Sequence, residues 1–230
     1  MGAQWKHAGR LASSAAKGKV FSRLAKEIIV AAKGGPDPAL NARLRAAVEA
    51  AKKASMPKDT LERAIKKGAG LLDEKANYEN VVVEGFAPHR VPVIVECLTD
   101  NSKRTMTNVR HVFRNGQLTP VAWDFTHVGI VDATPSGEAD SEEAAIEAGA
   151  QDFEPDGEGG VRFYTEPNDV DAVSKALSTR GWTVATMRIG WRAKNPVKLD
   201  DAAARAEVEK FLAELDEDDD VQHIYVGLEA

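Results

Sequence analysis

Lys19, Arg23, Lys26 and Lys33 belong to the stretch KGKVFSRLAKEIIVAAKGG, residues 17–35, and at 100° per residue they fall within about 80° of one another on a helix. Side chains of this type at this spacing break no bonds. They bind polyanions, because an ammonium or guanidinium set on a phosphate releases condensed counterions. The other face carries Phe21, Leu24, Ala25, Ile28 and Ala32, so the pattern predicts a helix with a core side and a cationic side. The arrangement recurs twice. Asp37-Pro38 reads as an N-cap with proline at the first helical position, followed by a stripe of Leu40, Leu44, Ala47, Val48 and Ala51 and the cations Arg43, Arg45, Lys52 and Lys53. After Met56-Pro57 comes a third helix, with Leu61 and Ile65 inward, Arg63, Lys66 and Lys67 outward, and a stop at Gly68-Ala69-Gly70.

These cations stand against the balance of the chain. Residues 1–70 hold 15 Lys+Arg and 5 Asp+Glu, a balance of +10, and residues 71–230 hold 15 and 31, a balance of −16, which together give the net −6. Helices wear Lys and Arg on their wet faces in most soluble proteins. Three cations per acid, however, exceed what intrahelical pairs neutralise, and the block as a whole favours nucleic acid as its partner.

The elements that must position this block follow from the change in apolar period. VVVEGF (81–86) and VPVIVECLT (91–99) predict a hairpin around APHR, and DNSKRTMTNVRHVF predicts a helix capped by Asp100 or Asn101, with Met106, Val109, Val112 and Phe113 inward. Lys103, Arg110 and Arg114 share its outer face as a second basic patch. VAWDF (121–125) reads as a strand. From Val128 the order is strand, helix, strand, strand, helix, strand, which is that of a ferredoxin-like domain. The last piece predicts a helix with Val208, Leu212 and Leu215 inward, an acidic turn LDEDDDV, and a strand at Val221–Val226. A lone helix and strand make no domain, so they are expected to complete the sheet begun near residue 79. The expected fold class is α+β with three domains: a basic helical domain at 1–76, a discontinuous middle α/β domain at 77–127 plus 193–230, and a ferredoxin-like domain at 128–192 inserted into it.

Catalytic chemistry finds little support. G-x-G-x-x-G, G-x-x-x-x-G-K-[ST] and G-x-S-x-G are absent. His7, His89, His111, His127 and His223 never reach a metal-ligand spacing with each other or with Cys97, and LDEDDDV lacks the glycine and terminal glutamate of a calcium loop, so it reads as a solvated turn. No periodic argument pairs Asp124 with Glu96 as acid and base. No metal, cofactor or small-molecule substrate is expected, and the chain is expected not to be an enzyme. Cys97 is the only cysteine, which suits a reducing compartment. The apolar runs fall short of the ~18 residues of a membrane helix, so a cytoplasmic protein is expected. An acid-free start of 26 residues also fits a mitochondrial transit segment, the lesser reading because the pattern runs unbroken into a helix.

The stretches QWKH, KGKVFSRLAKEIIVAAK, MPKDTLERAIKKG, VIVECLTDNSKRT followed by VRHVF, AIEAGAQDFE and DDDVQHIYV, in this order, resemble the YebC/PmpR family, which includes the mitochondrial translational activator of cytochrome oxidase subunit I. The resemblance implies the three-domain layout. It also implies one of two roles: a ribosome-associated translation factor that contacts rRNA and assists synthesis of difficult sequences, or a DNA-binding transcriptional regulator as the alternative. Charge spread over three helices, with no aromatic or Asn/Gln-rich recognition face, favours the ribosome. Trp5, Lys6, His7, Lys17 and Lys19 match the family's early pattern, and Arg10 joins them on charge alone. In the second motif Asp100, Asn101, Arg104, Arg110 and His111 match, which adds Arg104 and His111 to the second basic patch, whereas Lys103 stands where the pattern varies. The family's Gly-rich loop is shortened between Phe113 and Phe125, and the opening segment is less basic than usual.

Overall fold

The computed structural model describes residues 14–72, 77–137, 139–156 and 159–229. Three helices open the chain: α1 (Ser14–Ala32), α2 (Ala42–Lys53) and α3 (Lys58–Gly68). They bury Ile28, Ile29, Leu44, Val48, Ala51, Leu61 and Ala64 against each other, with Phe21, Leu24 and Ile65 packed around that centre. α3 approaches α1 closely at Gly68, where a Cβ would stand 2.3 Å from the Ile29 carbonyl oxygen, so only glycine fits.

One prediction fails at the start of α2. Its N-cap is Asn41, whose side chain accepts from the Leu44 N–H at 3.0 Å and donates to the carbonyls of Ala31 and Gly35. Asp37 instead closes a separate turn by accepting from the Ala39 N–H. Leu40, expected in the core, therefore lies outside the helix and is 89 % exposed.

Sheet A has the strand order β3-β1-β2-β8, from β1 (Glu79–Phe86), β2 (Pro92–Thr99), β3 (Gln117–Leu118) and β8 (Val221–Val226), all antiparallel. One face packs on α4 (Ser102–Val112) and α7 (Ala202–Asp216) through Val93, Val95, Val109, Phe113, Val208 and Leu212. The terminal helix and strand thus complete the sheet begun near residue 79, and β2 is buried on both faces along almost its whole length.

VAWDF is not a strand. Ala122–Asp124 forms a 3-10 turn, because the Glu84 carboxylate accepts the N–H groups of both Val121 (2.7 Å) and Ala122 (2.8 Å) and Pro120 precedes them without one. Pairing resumes at β4 (Phe125–Pro135), followed by α5 (Ser141–Ala148), β5 (Asp152–Pro155), β6 (Val161–Thr165), α6 (Val170–Thr179) and β7 (Trp182–Ala193). This second, antiparallel sheet has the order β5-β6-β4-β7 with α5 and α6 on one face, a ferredoxin-like domain. Phe125 pairs with Ala193, so the chain enters and leaves this domain side by side, which is how it is inserted into the middle one. The free faces of the two sheets meet through Ile94, Phe125, Val128, Ile130, Tyr164 and Tyr225.

Candidate nucleic-acid interface

The middle of the cationic side of α1, Arg23 and Lys26, does not meet solvent as its periodicity predicts. It meets the acidic turn between α7 and β8. Arg23 donates from Nη1 to Asp216 Oδ1 at 3.0 Å and from Nη2 to the Asp216 carbonyl. Lys26 donates to the Asp219 carbonyl at 2.7 Å and to Asp220 Oδ1 at 2.6 Å, and is only 9 % exposed. Two residues expected to be outward and available are thereby engaged by carboxylates from the acidic part of the same chain. Helical phase tells which side faces away from the bundle's own core. It says nothing of a partner 193 residues away.

Asp220 is the centre of this contact. Its Oδ2 accepts from Thr99 (3.1 Å), Thr105 (2.7 Å) and Arg104 (2.9 Å), while Lys26 takes Oδ1. Burial opposes its ionisation, yet the hydrogen bonds from Lys26, Thr105 and Arg104 outweigh burial and hold the carboxyl well below the usual carboxylate range. The two predicted basic patches each lend a cation to this one carboxylate. Arg104 is also bound to Asp100 at 2.9 Å, so it too is less available than expected, while Asn101 is the N-cap of α4, accepting from the Arg104 N–H at 3.1 Å. Thr99, Thr105, Asp216 and Asp220 were not singled out from sequence. The opposed charge of the two parts of the chain was a signal for Asp216 and Asp220, and no such signal marks the two threonines.

The remaining cations divide. Lys53 donates to the Val184 carbonyl on β7. Arg43 is exposed and lies near Glu27, whose carboxyl is pushed up by burial and drawn back by the charges of Arg188 and Arg43. Lys19 and Lys67 are half-buried and Arg63 is exposed. Lys33, Arg45, Lys52 and Lys66 are exposed and pair with no carboxylate among the described residues. On α4 and just beyond it, Lys103, Arg110, His111 and Arg114 are exposed. Trp5, Lys6, His7 and Arg10 lie outside the described residues, as does the side chain of Lys17.

The buried polar groups elsewhere serve packing. Glu96 accepts from Trp191 Nε1 and Tyr225 Oη, both at 3.1 Å, between the two sheets, whereas Asp124 sits apart with Asn195. Asp132 holds Arg162 at 2.6 Å and Arg188 at 2.8 Å on the ferredoxin-like sheet. Burial pushes the Cys97 thiol up to about 12. Among the described residues no group of three His, Cys, Asp or Glu is placed to hold a metal ion, and no helix is long and apolar enough to cross a membrane.

Comparison with known proteins fits this architecture. Residues 3–71 match the family described as TACO1/YebC protein N-terminal domain, and residues 78–228 match TACO1/YebC second and third domain. A "Probable transcriptional regulatory protein" of Pseudomonas syringae pv. tomato is 56 % identical over 232 residues, 99 % of each chain. One from Bdellovibrio bacteriovorus is 49 % identical over 234 residues, covering 99 % of this chain and 100 % of the relative. The crystal structure of a conserved hypothetical protein from Aquifex aeolicus superposes with a TM-score of 0.85 at 42 % identity, covering 94 % of this chain and 91 % of that one. Full-length identity of this order, together with both matched regions, makes the chain a member of the TACO1/YebC family.

Proposed function

We propose that this protein is a non-enzymatic regulator of gene expression that works in the cytoplasm and holds nucleic acid by its phosphates. The observation that carries the reading is the set of exposed cations left on the N-terminal bundle, Lys33, Arg45, Lys52 and Lys66, once the acidic turn has engaged Arg23 and Lys26. Lys103, Arg110, His111 and Arg114 form the second contact. Such cations fix position on a backbone and carry no base code of their own.

DNA is the target that the relatives' shared name, "Probable transcriptional regulatory protein", supports. The second reading is a translation factor on ribosomal RNA. One observation favours it: the exposed cations are distributed over α2, α3 and α4 rather than gathered on a single helix that would enter a groove, which suits a folded RNA surface recognised by shape and phosphate. Ribosome cosedimentation and promoter retardation, run side by side at rising salt with competitor DNA present, test the two. Retardation of one promoter that survives competitor supports the regulator of transcription. Salt-sensitive cosedimentation without sequence preference on DNA supports the translation factor, and binding to neither defeats the proposal.

A further inference from the structure

The turn that engages α1 offers its cations what a phosphodiester offers. Asp216 gives Arg23 a carboxylate oxygen and a carbonyl oxygen, Asp219 and Asp220 give Lys26 a carbonyl and a carboxylate, and the second oxygen of Asp220 faces Arg104. We infer that this acidic turn is an internal competitor for phosphate: it covers a second polyanion-binding face, made of Arg23, Lys26 and Arg104, which opens when the N-terminal bundle moves off the middle domain. The inference rests on the nucleic-acid reading and adds to it a face that the closed protein hides.

Three observations carry it. The fit of Arg23 to the turn is incomplete, for its Nε is buried without a partner while Nη1 and Nη2 are used. A phosphate takes a guanidinium through two parallel N–H groups, Nε included, and would satisfy the donor that the turn leaves out. The contact is also held by charge rather than by oil. Among the described residues, the apolar cluster of the bundle draws in Tyr78 but no other residue from beyond α3, and a polar joint of this kind allows domains to separate. Finally, the joint is already open to water. A cleft of about 490 Å³ runs between α1, α4 and the turn and reaches Lys26 and Arg104, and the five carboxylates on its walls, those of Asp100 and of residues 217–220, repel a phosphate for as long as the turn stays in place.

The full-length chain tests this with inorganic polyphosphate, which has neither base nor sugar. Asp216→Asn removes the charge facing Arg23 and keeps the backbone acceptor. Glu143→Gln makes the same change of charge at an exposed position on α5, outside the cleft. The inference predicts that Asp216→Asn binds polyphosphate about fivefold tighter or more, with Glu143→Gln within about twofold of the wild type. Equal gains in the two variants would reduce the effect to net charge and overturn it, as would no gain or no binding of polyphosphate at all. Spin labels at two exposed positions, Leu40→Cys on the bundle and Asp200→Cys on the middle domain, supply the second readout. Their separation is expected to shift on adding polyphosphate, and an unchanged separation with polyphosphate bound overturns the opening. If polyphosphate shifts the labels but neither DNA nor RNA binds, the proposed function fails and the inference stands.

Discussion

Asp220 illustrates what one buried carboxylate does when four side chains of three elements converge on it. Its net effect is a tether between α1, the start of α4 and the end of β2. Lys26 is nearly as buried as its partner, with 11 % and 6 % of the two side chains exposed, so removing it strands a charge away from water. Lys26→Met is therefore expected to lower stability by about 1–3 kcal/mol in urea denaturation; a loss under about 0.5 kcal/mol would contradict the tether. Glu96 shows the opposite sign. Burial raises its carboxyl above the ordinary value, and the hydrogen bonds from Tyr225 and Trp191 recover only part of that. A raised folded value means the native state binds the proton more tightly than the unfolded chain, so this group costs stability as pH rises from about 4 through the raised value. The stability of the wild type relative to Glu96→Gln should fall as pH rises above about 4, and a difference independent of pH would contradict this.

Among the elements, those with a strong internal signal were legible in the sequence. β8 runs over the residues that its pattern marks, and α4 carries its cap at Asn101 with Val109, and Phe113 just beyond its end, in the core as expected. The misses share a physical cause, a competing hydrogen bond from outside the local pattern. Asn41 outcompeted Asp37 because its amide also ties α1 to α2, and the carboxylate of Glu84 on β1 turned Ala122–Asp124 out of the sheet. Packing of the bundle gives the test at this scale. Gly68→Ala would push a methyl group into the Ile29 carbonyl and part α1 from α3, with an expected loss of about 1–3 kcal/mol in thermal or urea unfolding. An unchanged melting temperature would mean that the two helices are not held that closely.

At the scale of the whole molecule, the sequence revealed the charge asymmetry but not where the two signs meet. Part of the basic block is spent on the acidic turn, and the charge count overstated the surface left for a polyanion. The site was legible as a set of residue types on a helical bundle. The sorting of Arg23, Lys26 and Arg104 from Lys33, Arg45, Lys52 and Lys66 needed contacts spanning more than a hundred residues, which no periodicity encodes. The same sorting makes the closed protein sensitive to salt in two ways, since ions weaken both its grip on phosphate and the joint between bundle and middle domain. The central claim is that the exposed cations of the bundle hold nucleic-acid phosphate. The most direct test is the salt dependence of nucleic-acid affinity for the full-length chain, compared with a triple variant Arg45→Ala, Lys52→Ala and Lys66→Ala. The expected result is weaker binding whose slope of log affinity against log salt is shallower by about 2 to 3, one counterion for each lost contact; an unchanged slope, with affinity intact, would contradict the account.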